Sequence, residues 1–279
     1  MLGHPLGELR AGDRLDAGIV LDELRVEDLA AEILLLHEER AHVRAGRVEP
    51  RGKSGGTTAD DDEIEVGQRR SFPGSSLTLE QLGIPERYLA LGDSFTIGTG
   101  TTPDRSFPAV LVRLWRESGR EVELRNPAVN GYTTDDLIRE ELPLITAFRP
   151  TFATVLIGAN DLVAAVRGPD ASRDAEQRYA RQLVRIFDAL AGVDVVALPQ
   201  PDWSLAPMGG DFGDRAAVAG EIARHNTVMR QVAERAGSRY VDLFPLMRGQ
   251  AGRGMFAPDG LHPSAEAYGE WAKELAARI

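Results

Sequence analysis

The 279-residue chain contains no cysteine. That absence excludes disulfides, a thiolate nucleophile and cysteine-ligated metal, and it leaves hydroxyl, carboxylate and imidazole groups to carry any chemistry. Long apolar runs are missing as well: no stretch of about 18 uncharged apolar residues occurs, so no membrane span is expected. A basic segment followed by an apolar one is also lacking near the N-terminus, which makes a cytoplasmic location the default expectation. Basic charge is scarce. The 32 Lys and Arg face 43 Asp and Glu, a net charge of −11, which argues against a nucleic-acid surface because phosphate binding needs a basic field. Apolar residues, by contrast, make up 43% of the chain, enough for a core in one large domain or two modest ones.

The acidic excess is concentrated at the start. Residues 1–86 hold 18 acidic and 10 basic side chains, whereas residues 87–279 hold 25 and 22. Residues 22–45 carry Leu24, Leu29, Ile33, Leu36 and Val43 among many charges, a spacing that predicts an amphipathic helix. Residues 1–48 therefore read as a partly helical N-terminal extension, with that helix a candidate self-association or lid element. Residues 49–86 combine Gly, Ser, Thr and Pro with the acidic run Asp60 to Glu63 and read as a polar, acidic linker. His37 and His42 superficially suggest a zinc-protease helix, but such a pair must be four residues apart. Five residues place them about 140° apart around a helix, so no metal site is expected there.

From Arg87 onward short apolar runs alternate with longer amphipathic segments, the pattern of βαβ units closing a parallel sheet. Strands are expected at 87–92, 121–125, 152–157, 194–198 and 239–243, and helices at about 106–119, 133–147, 172–191, 214–236 and 264–278. Five such strands with crossover helices predict an α/β fold, a three-layer α/β/α sandwich around a five-stranded parallel sheet. Ligands in such sheets bind outside the carboxyl ends of the strands, which directs attention to the residues that follow each apolar run.

Each of those segments has a structural reading beside a chemical one. Ser94, in Gly92-Asp93-Ser94-Phe95, is either the polar cap of a helix after the first strand or a nucleophile. Gly131, in Asn130-Gly131-Tyr132-Thr133-Thr134, is a turn glycine or a backbone N–H donor to an anion, ahead of a helix capped by Thr133 or Thr134. Asn160, in Gly158-Ala159-Asn160-Asp161, caps the next helix or supplies a neutral amide donor to a developing oxyanion. Asp259 and His262, three apart in Asp259-Gly260-Leu261-His262-Pro263, form a solvated turn or a pair in which the carboxylate orients the imidazole as a base. Asp93 and Asp161 are expected to hold loops by backbone hydrogen bonds. Gly98-Thr99-Gly100 lacks the glycine pattern of a dinucleotide or phosphate loop and reads as a rim beside Ser94.

Four such segments on the same sheet edge, in this order, change the odds. The succession Gly-Asp-Ser-Phe, Asn-Gly-Tyr-Thr, Gly-Ala-Asn-Asp and Asp-Gly-Leu-His resembles the SGNH, or GDSL, hydrolase family over roughly residues 87–279. The resemblance implies a flavodoxin-like hydrolase domain with Ser94 as nucleophile, Asp259 and His262 completing the triad, and Ser94, Gly131 and Asn160 as the oxyanion hole. It implies a serine hydrolase that cleaves small acyl esters or thioesters through an acyl-serine, without cofactor or metal. The alternatives are a carbohydrate O-acetyl esterase, or a non-catalytic acyl- or glycan-binding module on the same fold. Trp203 and Met208, in the long segment 199–213, are expected to line or cover the substrate cleft; the plainer alternative for Trp203 is a plug that pins this loop to the sheet.

Overall fold

A computed structural model describes residues 85–166 and 169–279. The expected N-terminal helix, the His37/His42 pair and all but the last two residues of the expected linker lie outside them.

Tyr88, Leu89, Ala90 and Leu91 are fully buried in succession. A strand of consecutive rather than alternating apolar residues has both faces covered, as in a parallel sheet between two helical layers. These residues belong to β1 (Glu86–Gly92), which pairs with β2 (Val122–Arg125) on one side and β3 (Phe152–Leu156) on the other. With β4 (Asp194–Ala197) and β5 (Arg239–Tyr240) the sheet has the order β2-β1-β3-β4-β5, every pair parallel. β1 is thus an interior strand, but the central one is β3. The Tyr88 hydroxyl and Thr154 Oγ1 hydrogen-bond across the β1–β3 pair at 2.8 Å.

The chain steps outward from β1 to β2, then returns across β1 and continues through β3 to β5. Because parallel crossovers are right-handed, this reversal puts helices on both faces of the sheet. After β1 come α1 (Ser94–Ile97) and α2 (Phe107–Glu117); after β2, α3 (Thr134–Asp136) and α4 (Leu144–Phe148); after β3, α5 (Ala159–Ala165) and α6 (Pro169–Ala189). The remaining helices are α7 (Arg215–Arg235), α8 (Phe244–Gly252) and α9 (Ala265–Arg278). α2 packs on α9, whereas α6 packs on α5 and α7. The reversal opens a crevice at the carboxyl ends of β1 and β3, the place where open α/β sheets bind ligands. No helix among the described residues is long and apolar enough to cross a membrane.

The single helix expected over 133–147 is broken. α3 runs into one π-helical turn at Leu137–Glu141, where Leu142 N–H bonds Leu137 O at 3.1 Å, and α4 begins after Pro143. Pro143 has no N–H, and its ring would collide with the carbonyl four residues back, so a regular helix cannot pass through it. The fifth expected strand shrinks to two residues, although Val241 N–H still bonds Ala197 O at 3.1 Å. Three short helices, α1, α5 and α8, were not apparent from periodicity, since segments of four to nine residues show too few turns for a repeat.

Candidate active site

Ser94 lies two residues past the end of β1, at the first position of α1. Asp93 is the N-cap, its Oδ1 accepting from Phe95 N–H at 3.0 Å, and Gly98 closes the turn by donating to Ser94 O at 3.1 Å. The nucleophile candidate is therefore held on a tight strand-to-helix corner, 5% exposed. Asp93 serves the backbone, as expected.

After β2 the chain turns through Asn130 and Gly131, with Tyr132 N–H bonding Val129 O at 3.2 Å. Gly131 has φ +89, a conformation that suits glycine. Thr133 then caps α3 in a reciprocal box with Asp136. Asn160, in the first turn of α5, donates from Nδ2 to Tyr132 O at 2.8 Å, and Asp161 accepts from Thr134 N–H at 3.0 Å and from the Thr134 hydroxyl at 2.5 Å. These bonds tie the loop after β2 to the loop after β3. An amide NH2 carries two hydrogens, so with one committed to Tyr132 the Asn160 group is oriented and retains a second donor. Asp161 thus caps across to the other loop rather than its own helix.

Asp259 and His262 occupy a compact turn closed by Ala257 N–H to His262 O at 2.7 Å and Gly260 N–H to Ala257 O at 3.0 Å. Asp259 Oδ1 accepts from Leu261 N–H at 2.9 Å and His262 N–H at 3.0 Å, and Oδ2 lies 2.8 Å from His262 Nδ1. Partial burial raises the Asp259 pKa, but the two backbone N–H groups and then the imidazole outweigh it, and the carboxyl is held below its ordinary value. An ionised carboxylate only accepts, so the hydrogen is on Nδ1, and Nε2 is left as the basic nitrogen. The Phe95 ring lies 5.3 Å from the imidazole, centroid to centroid.

Ser94, Asn160 and His262 line one cleft of about 400 Å³ at the carboxyl ends of the strands. Asn130 lines it as well, next to Gly131. A model of the GDSL-like lipase/acylhydrolase family matches residues 90–269. The chain belongs to this family. No curated protein matches it. Among solved structures, the fold is similar to a lipase/acylhydrolase from Enterococcus faecalis, with a TM-score of 0.56 at 20% identity over 70% of this chain and 95% of that one. An extracellular lipase from Streptomyces rimosus gives 0.55 at 20% identity, over 70% of this chain and 100% of that one. Axe2, an acetylxylan esterase from Geobacillus stearothermophilus, gives 0.54 at 18% identity over 69% and 93%.

In this GDSL-family chain the rest of the cleft wall is apolar. Phe95, Val163, Trp203, Phe212 and Leu261 supply it, and among the described residues His262 is its sole charge-capable side chain. Trp203 is 4% exposed and meets Phe212 edge-on at 5.0 Å, so it both lines the cleft and packs its own loop. Arg215, opening α7, fastens that loop by donating to the carbonyls of Ser204, Ala206 and Pro207. Met208 departs from expectation: its N–H is tethered to Gly260 O at 3.0 Å, its side chain lies 42% exposed, and it is not part of the cleft lining. Val163 and Phe212 were not singled out from the sequence. Val163 could have been found by its position one helical turn after Asn160 on the same face of α5; Phe212, in an irregular loop, carries no such signal.

Gly100 in the expected rim lies against the Asp259 turn. It has φ +87, and a Cβ there would come within 2.4 Å of Ala257 Cβ and 3.3 Å of Asp259 Oδ2. Gly100→Ala is expected to displace the Asp259–His262 turn and lower kcat/KM by on the order of 10²-fold, since shifts of about 1 Å at reacting groups have that effect. Steady-state ester hydrolysis with a parallel thermal melt checks this.

Proposed function

We propose that the protein is a serine esterase that cleaves acyl esters through an acyl-Ser94 intermediate. The observation that carries this reading is the meeting of Ser94, Asn160 and His262 in one cleft, with Asp259 fixing His262 from behind. Ser94 Oγ attacks the acyl carbonyl carbon while its proton passes to His262 Nε2, and the carbonyl π electrons move onto oxygen. The resulting oxyanion is received by Ser94 N–H, Gly131 N–H and the Asn160 amide. The ester C–O bond then breaks, the leaving alcohol takes the proton from His262, and water, deprotonated by His262, releases the acid and regenerates Ser94. Asp259, ionised throughout, stabilises the transient imidazolium.

The apolar wall of Phe95, Val163, Trp203, Phe212 and Leu261 favours the acyl part of a neutral ester over a glycan, which needs polar partners for its hydroxyls. Hydrolysis of a chain-length series of acyl esters, with acyl-CoA thioesters and acetylated sugars alongside, tests the assignment. The expected result is hydrolysis of simple oxygen esters; turnover confined to acetylated sugars would overturn the substrate assignment, and no turnover of any acyl ester would overturn the enzyme itself. Asn160→Ala is expected to lower kcat by about 10²- to 10³-fold with little change in KM, because its amide acts on charge present only in the transition state. Comparing kcat and KM for the variant on one ester checks this.

A further inference from the structure

A group of carboxyls that the proposed reaction does not use lies behind the Ser94 corner. Glu141, the last residue of the π-turn, is fully buried, and its Oε2 accepts the N–H of Gly92 at 3.1 Å. Asp93 is fully buried too and binds Phe95 N–H at 3.0 Å. The two carboxyls therefore grip the backbone on either side of Ser94. Glu141 Oε1 is buried with no hydrogen-bond partner, whereas the Asp93 carboxyl is also favoured by the N–H of Ala159.

Two buried carboxylates that feel each other's charge would repel if both were ionised, and Glu141 would keep an oxygen without a donor. A proton on one of them removes a charge and supplies an O–H. Burial pushes Glu141 up to about 8, with the Gly92 N–H opposing and the Asp93 charge adding to the rise. Burial likewise pushes Asp93 up to about 7 against the Phe95 N–H, with Asp161 adding repulsion. The other titratable groups that act with Asp93 are the buried phenols Tyr179 of α6 and Tyr268 of α9, both held neutral chiefly by burial.

We propose that Glu141 is a positioning residue for Ser94, holding the corner between β1 and α1 in its reactive shape while it and Asp93 keep a proton between them. This rests on the reading of Ser94 as nucleophile. Since the folded chain binds this proton more tightly than the unfolded one, the stabilisation is fully present below the ordinary carboxylate range and is lost as pH rises through about 7 to 8. Reactivity of Ser94 is therefore expected to decline on the alkaline side, as the corner loosens.

The test compares the full chain with Glu141→Gln and Glu141→Ala, following the rate of Ser94 labelling by a fluorophosphonate and kcat for one ester from about pH 6 to 10. Wild type is expected to lose both activities with a midpoint near 8. Glu141→Gln, whose amide oxygen still accepts from Gly92 and whose NH2 can donate without titrating, is expected to keep the neutral-pH rate and lose the part of the decline centred near 8, the titration of Glu141 itself. Glu141→Ala is expected to lower kcat about tenfold or more at every pH, with KM nearly unchanged. A wild-type profile that stays flat to pH 10, or a Glu141→Gln profile that declines as wild type does, overturns the proposal. Failure to label Ser94 in wild type at any pH would instead remove the nucleophile reading, and this proposal with it.

Discussion

Replacing Ser94 by alanine is expected to reduce ester turnover by a factor on the order of 10⁶ while the circular dichroism spectrum and thermal melt stay close to wild type. The magnitude follows from the loss of the covalent route: without Oγ the acyl group has no acceptor on the protein, and only the oxyanion donors and cleft binding remain. The fold is expected to survive because the corner is built by other groups. Asp93 caps the helix, Gly98 closes it through the Ser94 carbonyl, and Glu141 binds Gly92, none of which involves the serine hydroxyl. The comparison is kcat for one ester in both proteins. A variant retaining even a hundredth of wild-type kcat would contradict the role given to Ser94.

His262→Ala is expected to cost nearly as much, again on the order of 10⁶ in kcat, and Asp259→Ala less, about 10⁴. Among the described residues His262 is the only base in the cleft lining, whereas Asp259 acts through it, and an imidazole without its carboxylate still retains some basicity. Because the three act as one unit, the double variant Ser94→Ala/His262→Ala is expected to be no slower than either single variant. Kinetics on the four proteins check this. Multiplicative losses in the double variant would mean that His262 and Ser94 serve separate steps.

These expectations depend on geometry that was partly readable in the chain. The unbroken apolar run 88–91 signals a strand covered on both faces, and five strand-length segments separated by amphipathic ones suffice for the sheet and its class, although β2 and β5 at the edges are neither unbroken nor fully buried. Ser94, Gly131 and Asn160 were legible as candidates because the carboxyl ends of parallel strands share one edge, so position after a strand stands in for proximity in space, whereas Asp259 and His262 showed only by their spacing of three ahead of α9. What was not legible depended on contacts between distant segments. The bond of Asn160 to Tyr132 and of Asp161 to Thr134 joins residues 27 or 28 apart, with no local pattern to announce it. Met208 looked like a cleft residue because it shares a loop with Trp203, yet it lies 42% exposed with its backbone bonded to Gly260 and is not among the residues lining the cleft. The π-turn carries no such signal either, and the burial of Glu141 shows only in its bond to Gly92, 49 residues away.

Reaction with a fluorophosphonate, followed by intact-mass measurement and peptide mapping, tests the nucleophile most directly. The account predicts a single adduct per chain on the peptide containing Ser94, formed slowly in His262→Ala and absent in Ser94→Ala. An adduct on a different residue, or undiminished ester hydrolysis in Ser94→Ala, would contradict it.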